Sequence, residues 1–92
     1  MARLSDEEIE ERLEGGDWLR DGDSLVRDVE LEGFTAAMAL ANAVGDAANA
    51  ANHHPDILVH GYKHVRLTLS THSAGGITEN DFALARTIDG LI

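Results

Sequence analysis

The chain has 92 residues, of which 43% are hydrophobic, which is enough for one compact domain with its own core. It contains no cysteine, and this excludes disulfides, zinc–thiolate sites and thiol nucleophiles. Seventeen Asp and Glu residues against seven Lys and Arg residues give a formal net charge of −10, which disfavours binding to nucleic acid. Because no apolar run suits a signal peptide or a membrane span, we predict a single domain over residues 1–92 in the cytoplasm, without a membrane partner.

The first third of the chain has the pattern of a helix followed by a β-hairpin. Residues 5–14 suit a short helix, in which Ser5 and Glu8 form a capping box and two glycines end the helical pattern. The segments DWLR and SLVRDVEL then flank Asp21-Gly22, a favoured turn sequence.

A long helix is predicted over residues 33–52, since helix-forming residues continue for about five turns without proline. The arc predicted to lie on the sheet consists of Phe34, Ala37, Met38, Ala41, Val44 and Ala48. The opposite side carries no charge and consists of Ala36, Leu40, Ala43, Ala47 and Ala50. This second side favours self-association into a homodimer or homotetramer, although alanine is also a common helix former on exposed surfaces.

The rest of the chain predicts a second pair of strands and a last helix. The segment ILVH suits a short strand, and YKHVRLTLSTH alternates apolar and polar residues as a strand does. Thr78 and Asp81 then begin a helix after the SAGG loop. The predicted fold class is therefore α+β, a two-layer sandwich with a four-stranded antiparallel sheet and helices packed on one face.

Five histidines raise the question of a metal site, which the sequence does not predict. His60 and His64 lie four residues apart, a spacing that separates them by roughly 13 Å along a straight strand, too far to share an ion. The side chains of the adjacent His53 and His54 diverge, and no zinc motif is present. We expect His60 and His64 to be surface residues.

Acid–base chemistry is a better hypothesis for His53, His54 and His72, because imidazole titrates near neutral pH. All three lie where a predicted helix or strand meets a loop. Each also has a simpler interpretation: His53 as a helix C-terminal cap, His72 as an exposed residue. Asp81 is likewise explained by its capping box with Thr78.

The segments NHHPDILVHGY, VRLTLSTH and GGITENDFALARTID resemble the pterin-4a-carbinolamine dehydratase family, and the resemblance extends upstream over nearly the whole chain. Fixed spacings join the residues that match the family pattern: His53, His54, Pro55, Tyr62, His72 and Asp81. The resemblance implies dehydration of 4a-hydroxytetrahydropterin to quinonoid dihydropterin, without metal or organic cofactor, in support of tetrahydropterin recycling.

The resemblance also implies residue roles. It assigns proton transfer at the 4a-hydroxyl to His53 and His72, with His54 shaping the site or sharing that chemistry. The predicted substrate-binding residues are Asn49, Pro55, Ser70, Thr71, Tyr62 and Asp81, with Ser70 and Thr71 offering backbone hydrogen bonds to the pterin ring.

One departure from the family pattern concerns Asn49, which stands where the family usually has an acidic residue. Asparagine can orient an imidazole but cannot stabilise its cation as a carboxylate would. We therefore expect a working but slower enzyme, unless Asp46, one turn earlier, takes over at longer range.

Two other functions are compatible with the resemblance. One is a non-catalytic dimerisation module or transcriptional coactivator, and the other is a pterin-binding protein in molybdopterin metabolism. The presence of all three histidines favours catalysis, because a scaffold would not need them.

Overall fold

In the computed structural model, which describes residues 2–92, two β-hairpins alternate with three helices. The elements are α1 (Asp6–Leu13), β1 (Leu19–Asp21), β2 (Ser24–Glu30), α2 (Phe34–Ala51), β3 (Asp56–His60), β4 (His64–Leu69) and α3 (Glu79–Asp89). A single 3₁₀ turn, His72–Ala74, joins β4 to α3. The predicted order of elements is confirmed. Within these residues, no helix is both long enough and apolar enough to cross a bilayer.

The four strands form one antiparallel sheet in the order β1-β2-β4-β3. The side chains that point to the helices are buried, and in β2 and β4 they are Leu25, Val29, Val65, Leu67 and Leu69. The opposite side of the sheet, which we call the open face, carries polar residues such as Asp28 and Arg66. The predicted two-layer α+β fold is therefore confirmed.

Arg27 interrupts the apolar side of β2, and an ion pair with Asp89 balances its charge. Its guanidinium donates to Asp89 at 2.5 Å, and the Trp18 indole donates to the same carboxylate oxygen at 2.8 Å. Because α3 ends at Asp89, this contact fixes the end of the helix against the sheet. A partly buried charge with a charged partner is tolerated where an unpaired one would not be.

The buried stripe of α2 differs from the predicted one. Ala37, Leu40, Val44 and Ala48 are buried, whereas Phe34 and Met38 are 56% and 39% exposed. The assignment of Leu40 to a free back face was wrong, since its side chain is only 6% exposed. The reason is that α2 contacts α3 as well as β3 and β4, so the buried arc turns toward both partners.

The predicted separation of His60 and His64 was also wrong. The two residues are direct cross-strand partners, because the chain reverses between them in a three-residue turn. Gly61 and Tyr62 both adopt positive φ angles in that turn, 53° and 54°. Tyr62 therefore lies in the turn and does not share a strand face with His72, which lies in the 3₁₀ turn beyond β4.

Candidate active site

Three histidines reach the same end of the sheet from two segments of the chain. His53 and His54 lie between α2 and β3, and His72 follows β4 by three residues. The first residue of β3, Asp56, pairs with Thr68 near the end of β4, so the two segments are neighbours. The pairing of β3 with β4 thus brings together loops that the sequence separates.

The end of α2 determines where His53 lies. Asn52 adopts the left-handed conformation with φ of 49°, and the His53 amide donates to the Ala48 carbonyl at 3.1 Å. Pro55 follows and disfavours helical geometry in the preceding residue. Helix α2 therefore ends at Ala51, and the chain turns so that the His53 side chain contacts α3.

Asp81 is the partner of His53. Its side chain is fully buried, and its Oδ1 lies 2.5 Å from His53 Nε2. Its Oδ2 accepts from the Thr71 hydroxyl at 2.8 Å and from the Thr78 amide at 2.9 Å. The predicted capping box of α3 is present. The capping interpretation is therefore confirmed, and the same carboxylate also contacts His53, because its two oxygens serve different partners.

The hydrogen bonds of Asp81 define the tautomer of His53. Its carboxylate accepts at Oδ1, so the Nε2 of His53 carries a proton and donates it. In the neutral ring, Nδ1 then holds the lone pair and can accept a proton. The Asp81 carboxylate on the opposite nitrogen also fixes the orientation of the ring. His53 and Asp81 together form a unit suited to proton transfer.

Asn49 contacts His54 instead of His53. Its Oδ1 lies 3.0 Å from His54 Nε2, and both residues are exposed. The predicted role of asparagine in orienting an imidazole is therefore present, but on the second histidine of the pair. The carboxylate partner of His53 comes from Asp81, and Asp46 remains exposed on α2.

The residues after β4 are held mainly by contacts within the chain. The Ser70 hydroxyl donates to the Asp23 carbonyl at 2.9 Å. The Thr71 amide donates to the Gly76 carbonyl at 2.9 Å, and the Gly76 amide donates back at 3.3 Å. The predicted backbone hydrogen bond from the Thr71 amide to a pterin ring would therefore compete with this bridge. His72 follows it and is exposed.

Within one chain, Tyr62 does not lie at this end of the sheet. It lies at the turn end of the β3–β4 hairpin, about 13 Å of strand away from the site end. Pro55, in contrast, directly precedes β3 at the site end and is partly buried.

Sequence reasoning missed Thr78 as a residue that positions the site. Its hydroxyl lies 2.8 Å from that of Thr71, and its amide donates to Asp81. The available signal was the capping-box pattern, in which the residue three positions before Asp81 must offer its amide to that carboxylate.

The site opens to solvent at the edge of the sheet. His54 and His72 are exposed, and the His53 side chain retains 15% of its accessible surface. A cavity of about 560 Å³ lies instead beside α1 and β1, lined by Arg3, Ser5, Ile9, Arg20 and Ile77 among others. None of the three histidines lines it.

Comparison with known proteins finds relatives over nearly the whole chain. The family model described as "Pterin 4 alpha carbinolamine dehydratase" matches residues 2–91. A protein of Nocardia farcinica named "Putative pterin-4-alpha-carbinolamine dehydratase" is 52% identical over 89 residues, covering 96% of this chain and 93% of its own. A protein of Chloroflexus aurantiacus with the same name is 48% identical over 93 residues, covering 100% and 99%.

A solved structure shares the fold over nearly the whole length. It is a transcriptional coactivator/pterin dehydratase from Brucella melitensis, with a TM-score of 0.89 and 28% sequence identity. The alignment covers 97% of each chain. The four-stranded sheet with its three helices is therefore the fold of a pterin dehydratase.

Proposed function

We propose, because the chain belongs to the pterin 4 alpha carbinolamine dehydratase family, that it dehydrates 4a-hydroxytetrahydropterin to quinonoid dihydropterin by histidine acid–base catalysis. The reaction would serve the recycling of tetrahydropterin. The observation that supports the proposal most directly is the 2.5 Å contact between His53 and the buried carboxylate of Asp81.

The reaction requires two proton transfers. The C4a–O bond breaks with its electron pair on oxygen, which takes up a proton and leaves as water. The proton on N5 is lost, and the electrons of the N5–H bond form the N5=C4a double bond. One group must therefore supply a proton to the hydroxyl while another removes a proton from N5.

His53 is suited to either transfer through Nδ1, because Asp81 engages its Nε2 and fixes the orientation of the ring. His72 and His54 lie at the same end of the sheet and provide the second group. His54 is oriented by Asn49, whereas His72 is carried by a short turn after Thr71. In this proposal His53 and His72 act on the 4a-hydroxyl and its protons, and His54 shapes the site or shares the transfer.

Stopped-flow measurement of 4a-hydroxytetrahydropterin decay tests the proposal. The double variant His53→Ala, His72→Ala should lose the acceleration by a factor of about 10²–10⁴, the usual contribution of positioned acid–base groups. The matched control is Arg86→Ala, an exposed residue on the same helix as Asp81, which should leave the rate unchanged. Circular dichroism establishes that both variants fold. Equal decay with the wild-type protein and the double variant would eliminate the enzymatic function.

A binding function is the second candidate. The Brucella melitensis protein that shares this fold is named as a coactivator as well as a dehydratase. On the present chain, the exposed Phe34 and Met38 of α2 offer apolar surface at a distance in sequence from the histidines. If the double histidine variant retained every activity of the wild-type protein, this binding function would be the better account.

A further inference from the structure

A second cluster of histidines lies on the open face of the sheet, apart from the proposed active site. It consists of Asp28 on β2, His60 on β3 and His64 on β4, which we call the open-face cluster. The chemistry proposed for His53, His54 and His72 does not use it. About 13 Å of strand separates the turn end of the β3–β4 hairpin from its site end.

The pairing of three strands places these side chains together. His60 is the cross-strand partner of His64, and His64 is in turn the partner of Glu30. Asp28 precedes Glu30 by two residues on the same face of β2, so it lies diagonally opposite His64. Each of the three ligands thus comes from a different strand, and the sheet fixes their positions.

The distances suit a single metal ion. His60 Nε2 lies 3.0 Å from Asp28 Oδ2, and His64 Nδ1 lies 3.7 Å from Asp28 Oδ1. One ligand atom from each residue can be chosen so that all three lie within 4.8 Å of one another. Ligand atoms in a tetrahedral zinc site with zinc–ligand distances near 2.0 Å lie roughly 3.3 Å apart. Small side-chain rotations therefore suffice to reach that geometry.

Ion pairing with Arg66 is the alternative explanation of the cluster. Arg66 Nε lies 3.1 Å from Asp28 Oδ2. Burial acts to raise the pKa of the Asp28 carboxyl, but hydrogen bonds from His60 and Arg66 outweigh it and hold that pKa below its ordinary value of 3.8. Arg66 and His60 therefore share Oδ2 of Asp28, while its Oδ1 faces His64.

His64 Nδ1 lies 3.7 Å from Asp28 Oδ1 and its Nε2 lies 4.0 Å from Glu30 Oε1, both longer than a hydrogen bond. Its ring instead stacks on that of His60, with centroids 5.2 Å apart and planes inclined by 21°. The stacking keeps the two rings on the same face of the sheet, beside the Asp28 carboxylate.

We propose that Asp28, His60 and His64 bind one divalent transition-metal ion of the zinc class, with water completing its coordination. Imidazole and carboxylate ligands suit Zn²⁺, Ni²⁺ and Cu²⁺, whereas Mg²⁺ prefers oxygen ligands alone. The side chains are 33–36% exposed, so an ion from solution can reach them. The formal net charge of −10 also attracts cations to the surface. This site is independent of the proposed dehydration.

Bound metal would join β2, β3 and β4 through their side chains. A ligand that binds only the folded chain stabilises it by mass action. The Tm of the wild-type protein should therefore rise on the order of 10 °C when Zn²⁺ is present at a hundredfold excess over its dissociation constant. No such rise is expected for a variant that lacks both histidines of the cluster.

Calorimetric titration of the full chain with ZnCl₂ measures the site. We expect one ion per chain, affinity lower by at least about tenfold in His60→Ala and in His64→Ala, and no comparable binding of MgCl₂. The matched control, His54→Ala, removes a histidine at the other end of the hairpin and should retain the affinity. The variant Arg66→Gln should bind Zn²⁺ more tightly, because it removes a cation that competes for Asp28.

An NMR titration of the wild-type protein gives a result that does not depend on any variant. Zn²⁺ should shift the ring resonances of His60 and His64 before those of His53, His54 and His72. If the first equivalent of Zn²⁺ shifted only the ring resonances of His53, His54 and His72, the proposal would be overturned. Unchanged affinity in the double variant His60→Ala, His64→Ala would overturn it equally.

Discussion

Asp81 is fully buried and serves two segments that are remote in sequence. One oxygen contacts His53, 28 residues earlier, while the other accepts from Thr71 and Thr78. Both oxygens of an ionised carboxylate can accept several hydrogen bonds, so helix capping does not prevent the histidine contact. The position of Asp81 in the sequence indicated the cap, but only the fold placed its free oxygen against an imidazole.

Asn49 offers a test of how much a carboxylate contributes at the second histidine. In Asn49→Asp the new carboxylate would lie within reach of His54 Nε2, which Asn49 Oδ1 now contacts at 3.0 Å. The hydrogen bond to a charged group exceeds a neutral one by about 1 kcal/mol, so we expect the dehydration rate to increase by up to about fivefold. The measurement is the stopped-flow decay, with Asn42→Asp on the same helix as the control. A rate that stayed the same or fell would contradict the missing-carboxylate account.

Helix α2 has almost no charged residues, so its sequence does not show which side of the helix packs against the core. Leu40 is 6% exposed and Met38 is 39% exposed. Leu40→Ala should therefore lower the free energy of unfolding by about 2–5 kcal/mol, because it leaves a cavity in the core. Met38→Ala, the control, should lower it by about 1 kcal/mol or less. Urea denaturation measures both values. Equal losses of unfolding free energy in the two variants would mean that Leu40 is exposed.

The first helix depends on its capping box, and the charge of Glu8 contributes to it. Hydrogen bonding by Ser5, first through its backbone amide and then through its side chain, holds the pKa of the Glu8 carboxyl below its ordinary value of 4.5. A carboxyl whose pKa is lower in the folded state stabilises that state above the unfolded pKa. The contribution is lost as the pH falls through the folded pKa.

The titration of Glu8 can be followed at its hydrogen-bond partner. The amide proton shift of Ser5, measured by NMR between pH 6 and pH 2, should change with a midpoint below 4.5. In Glu8→Gln the same amide should no longer follow this titration. A midpoint at or above 4.5 in the wild-type protein would mean that the capping box does not favour the charged form.

At the scale of the whole molecule, the sheet separates two sets of histidines. The β3–β4 hairpin carries His60 and His64 at its turn end, while His53, His54 and His72 lie at its open end. The register of β3 and β4 places His60 opposite His64, whereas the segments that flank the hairpin carry the other three histidines. The active site and the metal site that we propose therefore lie at opposite ends of one hairpin.

Self-association remains a prediction, and the structure changes the surface that would support it. Leu40 is buried within the chain, but Phe34 and Met38 on α2 and Leu58 on the edge strand β3 are exposed. An unpaired edge strand with exposed apolar residues favours pairing with another copy. Light scattering should give at least twice the chain mass of 9.9 kDa, and Phe34→Glu with Leu58→Glu should lower that mass. A strict monomer in the wild-type protein would contradict the prediction.

Most of the fold could be predicted from local patterns. The capping boxes at Ser5 and Thr78, the turn at Asp21-Gly22 and the proline after α2 are short-range signals, and the structure contains each element that they indicate. The order of helices and strands, with short connections, then restricts the sheet to antiparallel hairpins. The candidate histidines were recognised differently, from the resemblance of their spacing to Pro55 and Asp81 to a family pattern, and their catalytic roles stay a prediction.

The elements and their order could be read from the amino-acid sequence, because hydrophobic periodicity, capping and turn preferences act over a few residues. Three contacts could not: that of Asp81 with His53, the burial of Leu40, and the pairing of His60 with His64. Each of these contacts depends on how separate elements pack or pair. The local sequence pattern shows neither that a helix packs against two partners at once nor where the chain reverses.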